Sequence, residues 1–275
     1  MRSFTSIIRS LTRFGRAGDA AGAGEQEGYA NAEHAIEQRD IEIFKIHSET
    51  TFGDRRSLLT IQNIVRDRVP RYTYLEVGSH LGGTLYPHLT DPRCGLAYSV
   101  DKRPLSQPDE RGVRYHYDGN STARMVDELR PLLSASAIAK LRTHDADLSE
   151  LTATAIPVRA DLAFIDAEHT NRAAFRDFLR ILRYVNDNAV IVYHDAALLF
   201  DALCNAEEFL IHQGIRHQIW YLEDVIFACF LGDFVEAGAA ALSDICFDQE
   251  RKIAQWQEEL WNEIAGRRHT AAAQP

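Results

Sequence analysis

Five short apolar runs, at residues 74–77, 97–100, 113–117, 162–165 and 190–193, constrain the fold of this chain more than any other feature of its sequence. Each is continuously apolar or aromatic instead of alternating, which is how strands buried on both faces read. Between the last two runs, residues 171–185 place Phe175, Phe178, Leu179, Leu182 and Val185 at helical spacing. Arg172, Arg176, Arg180 and Arg183 take the other faces, so the segment predicts a crossover helix with a solvated basic face. Strand, helix, strand alternation of this kind predicts an α/β fold, a Rossmann-like, doubly wound, mostly parallel sheet whose ligands bind at the carboxyl ends of the strands.

The regions around these runs extend the same picture. Residues 29–44 and 55–69 read as helices, the second closed by Pro70. Apolar runs at 218–222 and 225–231, parted by Glu223 and Asp224, predict a C-terminal antiparallel hairpin, and a last helix is expected over 247–264. The organisation expected is therefore a basic extension with a Gly/Ala-rich flexible linker over 1–27, a helical cap over 28–70, the main domain over 71–235, and a C-terminal helix and tail over 236–275. In the extension Arg2, Arg9, Arg13 and Arg16 accompany Ile7, Ile8, Leu11 and Phe14, a pattern shared by transit peptides, surface-binding helices and plain tails.

Composition narrows the function classes. Thirty Lys and Arg against 40 Asp and Glu give a net charge of −10, and an acidic surface repels a phosphate backbone, so no nucleic acid is expected as partner. Cys94, Cys204, Cys229 and Cys246 form no C-x-x-C pair, which argues against a zinc knuckle, a redox dithiol or a disulfide scaffold and for a reducing, cytoplasmic setting. The longest apolar candidate, 225–242, carries Asp233 and Glu236, so no stable membrane insertion is expected.

Three segments carry the chemistry. The first run leads into Leu75-Glu76-Val77-Gly78-Ser79-His80-Leu81-Gly82-Gly83-Thr84, where glycines let the backbone turn tightly and come close to a ligand. A G-x-G-x-x-G dinucleotide fingerprint needs glycine where His80 stands, so an NAD-dependent oxidoreductase is the weaker reading. Asp101 ends the second run, where its carboxylate can accept hydrogen bonds from a ribose diol. Asp166 and Asp195 stand where the fourth and fifth runs stop. On neighbouring strands about 4.8 Å apart their carboxylates converge, and such a pair needs a shared proton or a hard cation such as Mg²⁺ or Ca²⁺. His169, three residues beyond Asp166, can face the same cavity as a base. His47 reads as a surface histidine, the alternative being that it enters the acceptor pocket.

In this order and spacing, over residues 70–235, these motifs resemble the class I S-adenosylmethionine-dependent methyltransferases. The resemblance is closest to the branch related to macrocin O-methyltransferase and cephalosporin hydroxylase-type proteins. It implies S-adenosylmethionine as cofactor, its methionine part held by Glu76, Gly78 and Gly82, with Ser79 in the same loop, and its ribose held by Asp101. Adenine falls either to Asn120 and Ser121 or to the segment containing Asp145. It further implies Asp166 and Asp195 as ligands of a metal such as Mg²⁺, with His169 as base and His194 as a second ligand or a neighbour. On the other reading His169 and Thr170 only start the crossover helix, and the acids orient the cofactor without metal. The function implied is O-methylation of a small-molecule acceptor, a sugar or glycosylated metabolite among the candidates, by a monomer or homo-oligomer. A non-catalytic cofactor-binding homologue is the remaining class.

Overall fold

The computed structural model of the protein describes residues 27–152, 154–242, 254–259 and 261–262. The basic extension, Cys246 and most of the helix expected over 247–264 lie outside the described residues. In chain order the elements are a helix over 27–37 (α1), a 3-10 turn Ile41–Ile43, α2 (Phe52–Arg68), β1 (Tyr72–Val77), α3 (Leu85–Thr90), β2 (Cys94–Val100), β3 (Ser106–Pro108), β4 (Arg114–His116), α4 (Thr122–Leu129), α5 (Ala135–Ile138) and β5 (Leu141–His144). There follow a second 3-10 turn, Leu148–Glu150, then β6 (Ala160–Ile165), α6 (Asn171–Ile181), β7 (Val185–Tyr193), α7 (Phe200–His212), β8 (His217–Tyr221), β9 (Phe227–Leu231) and α8 (Phe234–Leu242).

Seven strands form one sheet in the order β5-β2-β1-β6-β7-β9-β8. The first five in this order pair in parallel, and β9 joins β7 antiparallel with β8 at the edge, so the expected hairpin closes one side. Alternate residues of each strand serve opposite faces. Tyr74, Phe164, Val192 and Phe230 point to the layer of α2 and α8, where Leu59, Ile61 and Val65 meet them. Leu75, Ile165, Ile191 and Cys229 point to α6 and α7, represented by Phe178, Ile181, Leu203 and Leu210. Trp256 is buried in this second layer, its ring edge-on to Tyr221 with centroids 5.7 Å apart, while Trp261 is exposed.

Two sequence expectations need correction. Residues 113–117 are no part of the main sheet: β4 is exposed and pairs antiparallel with β3 in a small hairpin, and the place beside β2 belongs to β5. An aromatic run reads as a buried strand whether its aromatics enter the core or overhang a cleft, and here Tyr115 and Tyr117 do the latter. The crossover helix stops at Ile181, and Val185 already opens β7. The apolar stripe of α2 packs directly on the sheet. The helix is started by a reciprocal capping box between Thr51 and Asp54 and ended at Val69, before Pro70.

Candidate active site

Register brings the carboxyl ends of the parallel strands to one level. Val77 pairs with Val100 on one side and Ile165 on the other, and Ile165 pairs with Tyr193. The next residues continue the ladder, Gly78 N–H donating to Val100 O at 2.9 Å, Asp166 N–H to Val77 O at 2.9 Å and His194 N–H to Ile165 O at 3.1 Å. Chain order reverses between β1 and β6, so Gly78 and Asp166 face each other across the topological switch point, the place where open α/β sheets bind ligands.

The glycine loop is built for close approach. Gly78 has φ +90°, and a Cβ there would lie 2.0 Å from the carbonyl oxygen of Asp166. A Cβ on Gly83 would stand 2.7 Å from His47 O, so this glycine admits the 47–49 segment as the opposite wall. His80 takes φ +41°, a left-handed conformation costly for a residue with Cβ. The backbone therefore keeps the path that glycine more commonly supplies, secured by the His80 N–H, which donates to Asp101 Oδ2 at 3.1 Å. Beneath the loop, Glu76 is fully buried and accepts from Tyr74 Oη at 2.6 Å and Thr84 Oγ1 at 3.1 Å. Burial raises its pKa to about 8 despite these hydrogen bonds.

Deeper chemistry lies at the ends of β6 and β7. His169 Nε2 is 3.4 Å from Asp166 Oδ1 and 3.2 Å from Asp195 Oδ2, and its Nδ1 is 3.9 Å from Asp109 Oδ2. Burial alone would lower the pKa of His169, but the hydrogen bond to Asp166 and the charges of Asp195 and Asp166 outweigh it and lift it to about 9. His194 is held at both nitrogens, Nδ1 by Asp195 Oδ2 at 3.1 Å and Nε2 by Asp54 Oδ2 at 3.1 Å, and the charge of Asp166 together with these two acids raises its pKa well above the ordinary 6.5 against its burial. Asp195 has φ +54°, a strained backbone at the strand end. Ligand atoms of Asp166, His169 and Asp195 all lie within 4.8 Å of one another.

Residues 75–196 match the family model of a methyltransferase domain. The match spans 122 of the 275 residues. No curated protein matches the chain. Among solved structures, the O-methyltransferase TomG from Streptomyces achromogenes, in complex with S-adenosylmethionine, is 13% identical with a TM-score of 0.45, covering 74% of this chain and 89% of its own. A protein assigned as a caffeoyl-CoA O-methyltransferase from Staphylococcus aureus is 12% identical with a TM-score of 0.47, covering 74% and 100%. One assigned as an RNA methyltransferase from Pyrococcus horikoshii is 12% identical at 0.42, covering 68% and 88%. At such values these likenesses do not bear on the acceptor.

Gly78, Ser79, Asp101, Asn120, Asp166 and His169 line one cleft together with His47 and Glu49. His47 is thus exposed, as expected, and also part of the cleft wall. Glu76 lies below the floor, Gly82 turns the loop at φ +84°, and Asp195 touches the cleft through His169. Ser121 caps α4 by accepting from Arg124 N at 3.2 Å, and the exposed Asp145 accepts from Thr122 Oγ1. Ala146, Asp147 and Leu148 instead border the adjoining crevice below Asp101 and Lys102. Sequence reasoning missed Asp54, Asp109 and Gln107. Asp109 and Gln107 belong to the β3–β4 hairpin, which folds over the strand ends: Glu110 N donates to His169 O at 2.8 Å, and the buried Gln107 Oε1 lines the cleft with no hydrogen-bond partner. Asp54 could have been noticed from its capping-box pattern, Thr51-x-x-Asp54, but nothing in the pattern points to His194. No helix among the described residues is long and apolar enough to cross a membrane.

Proposed function

We propose that this protein is a methyltransferase that uses S-adenosylmethionine to methylate a hydroxyl of a small molecule, with a sugar or glycosylated metabolite among the candidate acceptors. The observation that carries the reading is His169 set between Asp166 and Asp195 beside the glycine cradle. Methyl transfer from a sulfonium is an in-line displacement, for which the protein aligns the reactants and takes up the hydroxyl proton. The cradle at Gly78 leaves room that a Cβ would fill, and Gln107 Oε1 is a buried acceptor awaiting a donor; both fit a bound nucleoside cofactor. Asp101 would hold its ribose, Glu76 its cationic end, and Asn120 the neighbourhood of its base.

Two carboxylates and an imidazole within 4.8 Å are a fitting donor set for Mg²⁺ or a similar dication, held by Asp166 and Asp195. Such an ion supplies Lewis acidity that makes a coordinated hydroxyl easier to deprotonate. His169 is protonated at neutral pH while both carboxylates face it, so it can accept the hydroxyl proton only once their charge is matched. Asp54, through His194, and Asp109, beside His169, orient the two imidazoles. The acidic net charge supports a small acceptor over nucleic acid.

The test is S-adenosylmethionine-dependent methyl transfer to a panel of hydroxylated small molecules and RNA, with Asp166→Ala and His169→Ala alongside. Turnover of a small acceptor should fall by about 10² or more in each variant. Unchanged turnover would remove Asp166 and His169 from the mechanism, and stimulation by RNA alone would overturn the acceptor class.

A further inference from the structure

Arg103 lies two residues beyond Asp101 and forms no recognisable motif, yet it is the point at which three walls of the cleft are joined. Its backbone is left-handed, φ +51°, and its side chain is 7% exposed. The guanidinium donates to His80 O at 2.5 Å, to Asn120 Oδ1 at 3.2 Å and to Thr122 Oγ1 at 3.2 Å, and Nη1 stands 3.2 Å from Asp101 Oδ2. Its own N–H donates to Asp101 Oδ1 at 2.7 Å. The partners come from the glycine loop, the end of β2 and the turn leading into α4. His80, Asp101 and Asn120 line the cleft, and Arg103 stands behind them.

A guanidinium presents five N–H donors in one rigid plane, so one residue can serve partners from all three segments, which a lysine cannot do. At Asp101 the effect is directional. A carboxylate has about four acceptor positions; Oδ2 accepts from His80 N–H and is ion-paired with Arg103 Nη1 at 3.2 Å, and Oδ1 accepts from Arg103 N–H. The ion pair fixes the orientation of the carboxylate, and each oxygen keeps acceptor capacity for a ligand hydroxyl. The same guanidinium pins the carbonyl of His80, whose left-handed backbone would otherwise relax.

We propose that Arg103 is a positioning residue that sets recognition of the ribose, by aiming Asp101 and fixing the His80 loop against it. The inference rests on the S-adenosylmethionine reading. It deepens it, because specificity for a ribonucleoside ligand then depends on a residue that never touches the ligand.

Calorimetric titration with S-adenosylhomocysteine and with its 2′,3′-dideoxy analogue tests this in the full chain, comparing wild type, Arg103→Met, Arg103→Lys, Asp101→Asn and the Arg103→Met/Asp101→Asn double variant. Wild type should favour the ribose form by about tenfold or more, the worth of one charge-assisted hydrogen bond. Arg103→Met should lose most of that preference while binding the dideoxy analogue within about threefold of wild type, and the double variant should be no worse than Asp101→Asn alone. Arg103→Lys, which keeps the charge and disturbs folding less, should lose most of the preference too. Equal weakening of both ligands in both variants, or an unchanged preference, overturns the proposal while leaving the cofactor reading intact. Failure of wild type to bind S-adenosylhomocysteine overturns both.

Discussion

Glu76→Gln should make the ligand-free protein more stable relative to wild type as the pH rises. Glu76 is fully buried near the carboxyl end of β1, with Tyr74 and Thr84 hydroxyls as its hydrogen-bond donors. Its folded pKa is about 8 against an ordinary 4.5. The folded protein therefore holds this proton more tightly than the unfolded chain. The resulting stabilisation is complete below about pH 4.5 and is lost as the pH rises through about 8. Each pH unit between these limits is worth about 1.4 kcal/mol, so the loss between pH 5 and pH 8 is about 3 kcal/mol. Glutamine keeps one acceptor and obliges one of the two hydroxyls to accept instead of donate, a cost that does not vary with pH. The pH-dependent part thus isolates the carboxyl group. Urea unfolding of both proteins at pH 5 and pH 8 without ligand reads it directly. The stability difference should shift in favour of Glu76→Gln by about 2–4 kcal/mol between the two pH values. An equal difference at both would refute the claim that burial dominates at Glu76. If the carboxylate is the partner of the cofactor's cationic end, the same variant should also bind S-adenosylhomocysteine at least about tenfold more weakly.

Four further outcomes are expected. Gly78→Ala combines a positive φ with a Cβ 2.0 Å from Asp166 O, so thermal denaturation should show a loss of at least about 2 kcal/mol and calorimetry no cofactor binding; ordinary affinity would refute the cradle. His88, fully buried and stacked 3.6 Å from Tyr74, has its pKa lowered by burial to about 3. Its neutral form therefore stabilises the fold above its ordinary 6.5, and that contribution is lost as the pH falls towards 3, so wild type should lose about 2 kcal/mol more than His88→Phe between pH 7 and pH 5 in urea titrations. Asp54→Ala removes one acid of a buried pair together with the α2 cap and the Val225 N–H acceptor, and should cost about 3–5 kcal/mol by chemical denaturation; a cost below about 1 kcal/mol would show that His194 finds another partner. Mg²⁺ should raise the melting temperature of wild type and leave that of Asp166→Asn/Asp195→Asn unchanged, a comparison scanning calorimetry makes directly.

The sequence by itself determined the fold class, because continuous apolar runs with helical intervals admit little except a buried parallel sheet, and because Glu223 and Asp224 mark a hairpin wherever it sits. It also determined that Gly78, Asp101 and Asp166 meet at one edge, since each follows directly on the last residue of a strand. Identity of the third parallel neighbour was beyond it: Leu141–His144 is short and mostly polar, while 113–117 is aromatic, and apolar character cannot tell a sheet interior from a hairpin over a cleft. Tertiary structure alone decided the rest. Asp54 reaches His194 across 140 residues, Asp109 reaches His169 across the folded hairpin, and Arg103 joins segments whose proximity no spacing encodes. The charge of both imidazoles is set by Asp166 and Asp195, joined at His194 by Asp54, and only the folded chain brings those acids within reach of the rings.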